Sequence, residues 1–191
     1  MNSFFQLIAR HRVLASTLFL AIFPFIMPYE ALAINILIFG LFAMGFNLLF
    51  GYMGLLSFGH AAFLGTGSYL TGISIVHYGL SWGTAILVGV IGAAIAGLIM
   101  GFLAIRTRGI YFSMVTLALG QIMYYVFYKA ESLTGGENGL RGVRVDSFNI
   151  FGIPVDFLNP LVKYYIILFF VVIAIWFISR ILNSPLGAVM E

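Results

Sequence analysis

The sequence predicts an all-α, polytopic membrane protein. Of its 191 residues, 62% are hydrophobic and only 8% are charged, whereas a soluble domain carries about 25% charged residues. The apolar runs are continuous instead of alternating, which favours membrane helices over the strands of an outer-membrane barrel. The sequence has no cysteine, which excludes disulfides and thiolate chemistry, and its net charge of +3 does not suggest binding to nucleic acid.

We expect one transmembrane domain with six spans. The predicted spans cover residues 13–28, 31–50, 55–76, 82–105, 110–128 and 161–182. Arg10 and Arg12 precede the first span, and Pro24 interrupts it. A signal peptide is disfavoured, because no small-residue cleavage site follows and a second apolar run begins almost at once. That second run, with about 20 residues, is long enough to cross the hydrocarbon core.

Residues 47–72 combine membrane-grade hydrophobicity with many glycines and small polar side chains. Irregular or polar backbone at membrane depth is tolerated only where it is buried in protein or lines a cavity. We therefore expect this stretch to face other helices or a pathway. The third span, 55–76, is predicted to begin with an unwound or re-entrant segment at residues 51–59.

The fourth span, 82–105, begins at Trp82, a residue type that suits the membrane interface. Small residues recur along it every four positions, at Ala85, Gly89, Ala93, Gly97 and Gly101. Such a stripe predicts close packing against another helix. A chance recurrence in a helix rich in glycine and alanine is the alternative.

The fifth span follows a basic break at Arg106 and Arg108, and Arg180 lies near the inner end of the sixth. Short loops carry their positive charge on the cytoplasmic side, so we expect a cytoplasmic N-terminus. Residues 129–160 then form an outer loop. Alternating residues and a turn at Gly152–Pro154 predict short strands there, in a small extracytoplasmic cap.

Ser57 and His60 lie close together and raise the alternative of an intramembrane hydrolase. A serine nucleophile needs a base, a group that orients the base and an oxyanion hole, and no membrane carboxylate is available to orient His60. A packed, hydrogen-bonded histidine is favoured, with conformational coupling as a further alternative. The histidines fall in different segments without adjacent carboxylates, so we predict no catalytic residue, metal or cofactor.

Three uncharged polar residues lie inside predicted spans, namely Asn47, Thr116 and Gln121. Such groups usually bond across helices, and lining a polar substrate route is the functional alternative. No span carries an acidic or basic residue at mid-length, which argues against a proton- or sodium-coupled carrier and against a voltage sensor. Any transport by this chain would therefore draw its energy from elsewhere.

Two short polar motifs lie outside the spans. The cluster Thr134–Gly139 is not a phosphate loop, because no Lys-Ser/Thr follows it; a turn and contact with an external partner are its two interpretations. Ser184 before Pro185 is a helix-start signal, with a capping hydroxyl and then proline in the first turn. These signals predict a helix that begins as the sequence ends, and therefore a truncated chain.

Three blocks of sequence, in order, resemble the permeases of branched-chain amino-acid ABC transporters. The resemblance is to the LivM/LivH type, and it is closer to LivM. The blocks are GYMGLLSFGHAAFLGTGSY at 51–69, RTRGIYFSMVTLALGQ at 106–121 and TGGENGL at 134–140. The resemblance extends from residue 31 to residue 187.

This resemblance implies a permease subunit of an ATP-driven importer and not an enzyme. Such a subunit forms the translocation pathway with a second permease subunit in the plasma (inner) membrane of a prokaryote. Two cytoplasmic ATPase subunits drive it, and an extracytoplasmic substrate-binding protein delivers a small polar solute. Branched-chain amino acids are the implied substrates, with urea, short amides or other amino acids as alternatives. From another class, a purely structural subunit or a channel is the competing hypothesis.

The candidate site residues fall into four groups. Candidate pathway or gating residues are Asn47, Gly54, Ser57, Gly59, His60, Thr116 and Gln121, with the glycine-broken segment 51–59 as the predicted flexible element of alternating access. Candidate residues for ATPase coupling are Ser184, Pro185, Leu186 and Gly187, although Ala188 stands where the family usually has a basic residue. Candidate contacts with the binding protein are Thr134, Gly135, Gly136 and Asn138. Predicted helix-packing residues are Gly89, Ala93, Gly97 and Gly101.

Overall fold

The computed structural model describes residues 12–27, 29–143, 148–150, 153–155 and 159–184. Its helices are α1 (Arg12–Ile26), α2 (Glu30–Asn47), α3 (Ala61–Val76), α4 (Trp82–Ala104), α5 (Ile110–Lys129), the short α6 (Glu131–Thr134) and α7 (Pro160–Leu182). A π-helical turn, Leu48–Tyr52, extends α2, and a 3-10 turn covers Gly136–Asn138. This architecture confirms the predicted helical membrane fold. The described residues divide into two compact units, one formed by residues up to 45 and from 147 onward, and one by residues 46–146.

Helix lengths match most of the predicted spans. Among the described residues, four helical segments are long and apolar enough to cross a membrane: Glu30–Tyr52, Trp82–Ala104, Ile110–Lys129 and Pro160–Leu182. The last three agree with the predicted bounds to within one residue. In the third predicted span, 55–76, the backbone is not helical between Met53 and His60, and α3 has 16 residues. The first helix, α1, has 15 described residues and contains Pro24.

The first unit has a core between α2 and α7. Its buried residues are Ala33, Leu37, Tyr164, Leu168 and Val171. The Tyr164 hydroxyl donates a 2.6 Å hydrogen bond to the Leu20 carbonyl of α1. The start of α7 is capped by the Asn159 side chain, which accepts a 3.0 Å hydrogen bond from the Leu161 amide, with Pro160 in the first turn.

Two short strands in the first unit lie where the alternating residues predicted strands. The strands β1 (Phe148–Ile150) and β2 (Ile153–Val155) pair antiparallel, with Ile150 opposite Ile153. The predicted turn at Gly152–Pro154 was therefore wrong for Ile153 and Pro154, which belong to β2, and Gly152 lies outside the described residues.

In the second unit, α3 and α4 pack closely where small residues meet. A Cβ on Gly89 would overlap the Thr71 hydroxyl and lie 2.7 Å from the Gly67 carbonyl oxygen, and a Cβ on Gly67 would lie 3.5 Å from Ala93 Cβ. The first half of the α4 stripe thus contacts α3. The second half lies farther from α3. A Cβ on Gly97 would lie 3.9 Å from the ring of Phe63 in α3, and a Cβ on Gly101 would meet nothing within 4 Å.

The two threonine hydroxyls of α3 are satisfied within the helix. Thr66 Oγ1 donates to the Ala62 carbonyl at 2.7 Å, and Thr71 Oγ1 donates to the Gly67 carbonyl at 2.8 Å.

Large apolar side chains cover the outer face of α4, where Leu98 is 74% exposed. Such an apolar surface fits a lipid environment.

Candidate functional site

The helix that begins as α2 is interrupted before α3. The π-helical turn Leu48–Tyr52 is followed, after Met53, by a left-handed residue, Gly54, with φ +65°. The Leu55 amide then donates to the Leu49 carbonyl at 3.0 Å, and the backbone stays non-helical as far as His60. The structure thus contains an irregular segment where the glycine pattern predicted one, and we call residues 53–60 the helix break.

Hydroxyl groups on α5 supply hydrogen bonds to the helix break. The Phe58 amide donates to Thr116 Oγ1 at 3.2 Å, and Ser113 Oγ donates to the Leu56 carbonyl at 2.7 Å. Thr116 Oγ1 in turn donates to the Ser113 carbonyl at 3.0 Å. Both hydroxyl side chains are buried, so protein groups in place of water form the hydrogen bonds of these two backbone groups in the helix break.

The helix break also touches α5 through its backbone. A Cβ on Gly59 would overlap the Thr116 carbonyl oxygen, and a Cβ on Gly120 would lie 3.1 Å from Gly59 Cα. The same Cβ on Gly59 would lie 3.1 Å from the Cε of Met100. Gly59 is therefore required by close approach of two backbones.

The structure places Ser57 and His60 in packed surroundings. Ser57 is 5% exposed. The His60 ring meets Phe46 and Phe63 edge-on, with centroid distances of 5.9 and 5.5 Å. The interpretation of His60 as a packed, hydrogen-bonded histidine stays a prediction. The described residues contain no group of three His, Cys, Asp or Glu side chains that could hold a metal ion.

Beside the helix break, a groove of about 450 Å³ runs between α3 and α5. We call it the α3–α5 groove. Its small lining residues are Gly59, Ala61, Ala62, Gly65 and Gly120. Its aromatic lining residues are Phe58, Tyr69, Tyr124, Phe127 and Tyr128, and its remaining polar lining is Thr66, Gln121 and Glu137.

Contacts along the two helices give the groove a direction. Gly59 meets Gly120 at one end. Farther along, the rings of Tyr69 and Phe127 stack at 4.9 Å. We call these the glycine end and the aromatic end of the α3–α5 groove. Gly136, Glu137 and Gly139 line the groove as well, and a Cβ on Gly136 would lie 3.3 Å from the Tyr128 carbonyl oxygen, near the end of α5.

The glycine cluster forms a tight turn. Thr134, only 1% exposed, donates through Oγ1 to the Phe127 carbonyl at 2.6 Å and accepts from the Gly136 amide at 3.2 Å. Gly135 and Gly136 have φ of +77° and +55°, and a Cβ on Gly135 would overlap the Gly139 carbonyl oxygen. These residues shape the turn, and the buried Thr134 side chain offers no surface to a partner. The exposed residues of the turn are Glu137 and Asn138.

The predicted pathway residues are only partly brought together. Gly59 and Gln121 line the α3–α5 groove, and Thr116 holds the adjoining helix break. Asn47 lies apart from the groove, at the end of α2, where its Oδ1 would be 2.5 Å from a Cβ on Gly51. Sequence reasoning missed the aromatic lining, although Leu117, Gln121, Tyr124 and Tyr128 recur at helical spacing along α5.

The coupling residues lie at the edge of the described chain. Ser184 Oγ donates to the Ile181 carbonyl at 2.6 Å, at the end of α7. Pro185, Leu186 and Gly187 lie outside the described residues, so the predicted helix start there stays a prediction.

Comparisons with known proteins agree with the sequence blocks. The model of a family described as "Branched-chain amino acid transport system / permease component" matches residues 29–191. The "High-affinity branched-chain amino acid transport system permease protein LivM" of Escherichia coli (strain K12) is 30% identical over 174 residues, which is 81% of this chain and 41% of that protein. The protein of the same name from Salmonella typhimurium (strain LT2) is 32% identical over 175 residues, with the same two shares. The chain thus spans 41% of the length of these relatives. No solved structure matches the chain at a significant level.

Proposed function

The chain belongs to the family of branched-chain amino acid transport system permease components, and on that premise we propose that it is a permease subunit of an ATP-driven importer for branched-chain amino acids. It forms the translocation pathway together with a second permease subunit. Two cytoplasmic ATPases supply the energy, and an extracytoplasmic binding protein delivers the solute. Urea, short amides and other amino acids are the alternative solutes.

The observation that carries this proposal is the helix break beside the α3–α5 groove. Irregular backbone at membrane depth occurs where it is buried or lines a cavity, and discontinuous helices commonly form the solute sites of transporters. Here the break is held by Ser113 and Thr116, and Gly59 is shared between the break and the groove. This arrangement fits a chain that forms part of a pathway.

The placement of charge supports an external energy source. In the described helices longer than one turn, charged residues lie only near the ends: Arg12, Glu30, Lys129, Lys163 and Arg180. A carrier driven by protons or sodium generally needs an ionisable relay inside the membrane. ATPase partners provide the energy instead, and Ser184–Gly187 are the proposed coupling residues.

Purification of the native complex tests the importer function. The full-length protein with its natural C-terminus is captured from source membranes and reconstituted in liposomes with the binding protein. We expect a second permease and two ATPases to copurify, and we expect uptake of leucine, isoleucine and valine to require ATP. Capture of the chain alone, with no ATP-dependent uptake, would refute the proposal. Uptake of urea or an amide by the same complex would select an alternative solute.

We propose a cytoplasmic N-terminus, with the glycine turn on the outer side. Because the chain has no cysteine, single cysteines report sidedness without background. In intact cells, a membrane-impermeant maleimide should label Asn138→Cys and should label Arg108→Cys only after permeabilisation. Both residues are exposed, so the reverse pattern would invert the proposed orientation.

We propose that the helix break is the flexible element of alternating access. ATP shifts such an equilibrium only by binding one state more tightly than the other. Gly54 tests this role because its φ of +65° disfavours other residues while a Cβ there meets nothing within 4 Å. Gly54→Leu should lower uptake several-fold while membrane insertion stays normal. Gly40→Leu, at a helical glycine with equally open space, is the matched control, and equal loss of uptake in both variants would remove the special role of Gly54.

A further inference from the structure

We propose that the α3–α5 groove is a binding station for a zwitterionic amino acid with a small branched side chain, and that Gly65 sets the size of side chain it accepts. The inference rests on the importer function proposed above and assigns a place to its solute. The groove volume of about 450 Å³ lies in the range of about 300–1,000 Å³ that is usual for small-molecule sites.

The glycine end of the groove suits an apolar side chain. Gly59, Ala62, Gly65 and Gly120 leave space between the two helices. At Gly59 and Gly120 the missing side chain allows the two backbones to touch, because a Cβ on either glycine would meet the backbone opposite it. At Gly65 a Cβ would meet nothing within 4 Å, although the residue lines the groove. The missing side chain of Gly65 therefore contributes open volume and no packing.

The aromatic end suits an ammonium group. Glu137 is the one charged residue among those that line the groove, and no lysine or arginine accompanies it there. Tyr124 and Tyr128 stack at 5.9 Å near the same end. A carboxylate and tyrosine ring faces both attract a cation. The Gln121 amide, on the turn of α5 before Tyr124, supplies a hydrogen-bond donor for the carboxylate of the solute.

This arrangement distinguishes amino acids from neutral solutes. A branched-chain amino acid would place its ammonium toward Glu137 and its side chain toward Gly65. Urea or a short amide carries no positive charge and no branched side chain, so neither group would be needed for it. Selectivity between these solutes therefore tests the groove directly.

Gly65→Val in the reconstituted full complex is the first test. We expect uptake of leucine to fall about tenfold relative to uptake of alanine, the scale of discrimination set by a change of one or two methyl groups in an apolar pocket. Gly65→Ala is the milder second variant, since alanine is favoured over glycine inside a helix, and it should shift the same ratio in the same direction. Gly101→Val is the matched control, because Gly101 is also helical with open space but does not line the groove.

Glu137→Gln is the second test. The variant keeps the shape of the side chain and removes its charge, so we expect uptake of leucine to fall about tenfold while ATPase stimulation by the loaded binding protein persists. An unchanged leucine-to-alanine ratio in both Gly65 variants, together with normal uptake in Glu137→Gln, would overturn the groove proposal and leave the importer function standing. Failure of the unmodified complex to take up any amino acid with ATP would instead overturn the importer function, and the groove proposal with it.

Discussion

Replacing Thr116 with valine removes the hydroxyl that holds the helix break. Its Oγ1 accepts the Phe58 amide at 3.2 Å and donates to the Ser113 carbonyl at 3.0 Å, and the side chain is only 4% exposed. Leaving a buried polar group unsatisfied costs about 1–3 kcal/mol, whereas hydrogen bonds between membrane helices average about 0.6 and reach about 1.7 kcal/mol. We therefore expect a loss of about 1–2 kcal/mol, which lowers the folded-to-unfolded ratio by roughly fivefold to thirtyfold.

A double-mutant cycle with Ser113→Ala shows whether the two hydroxyls act on one element. Ser113 Oγ holds the Leu56 carbonyl at 2.7 Å, two residues from the amide that Thr116 holds. Once one hydrogen bond is lost and the segment loosens, loss of the other should cost less, with a coupling energy of about 0.5 kcal/mol or more. The free energies come from unfolding titrations of the purified chain in mixed micelles.

Thr116→Ser is the control for this experiment, because serine keeps the hydroxyl and loses only a methyl group. We expect its stability to stay close to that of the unmodified chain. Equal stability of Thr116→Val and Thr116→Ser would refute the role of the hydroxyl. Strictly additive effects of the Thr116 and Ser113 changes would show that the helix break is not one coupled element.

Three other substitutions test the packing of the helices and of the glycine turn. Gly89→Val should destabilise the chain by about 1–3 kcal/mol, because the new side chain would overlap a threonine hydroxyl of α3, whereas Gly101→Val should change stability little; thermal unfolding in detergent compares the two. Tyr164→Phe should cost about 1 kcal/mol through loss of the 2.6 Å hydrogen bond to the Leu20 carbonyl, and unchanged unfolding would contradict that bond. Thr134→Val should loosen the glycine turn and speed amide hydrogen exchange across residues 135–139, since it removes three hydrogen bonds of a buried hydroxyl; exchange at the unmodified rate would argue against that role.

In the second unit, the first residue of a helix could be predicted where nearby residues in the sequence determine it. Trp82 and the basic break at Arg106 and Arg108 are visible in the sequence, and α4 and α5 begin where the pattern placed them. The start of α3 was harder to predict. The helix break before it is bonded by two hydroxyls on α5, those of Ser113 and Thr116, which lie 57 and 58 residues away in the chain from the groups they bind. The glycine pattern predicts an unwound start at residues 51–59, but a hydropathy pattern contains no information about such a long-range contact and does not give the residue at which α3 begins.

The candidate site shows the same limit. Gln121 and Gly59 were selected as polar or flexible residues inside a span, and both line the α3–α5 groove. The tyrosines and Glu137 were missed because an aromatic residue in an apolar helix, or an acidic residue in a glycine-rich turn, has no distinctive local signal. Only the pairing of Tyr69 with Phe127 and the fold of the glycine turn bring them to one cavity.

Three of the glycines in residues 47–72 look alike in the sequence but serve three different physical purposes. Gly54 has a left-handed backbone in open space, Gly59 allows two backbones to touch, and Gly65 leaves a volume empty. These purposes predict different outcomes for the same change to alanine. Strain at Gly54 and collision at Gly59 both lower the free energy of unfolding, whereas alanine at Gly65 should leave it unchanged or raise it. A loss of transport at Gly65 without a loss of stability would therefore locate the solute, because at that position neither the backbone nor the packing can account for the effect.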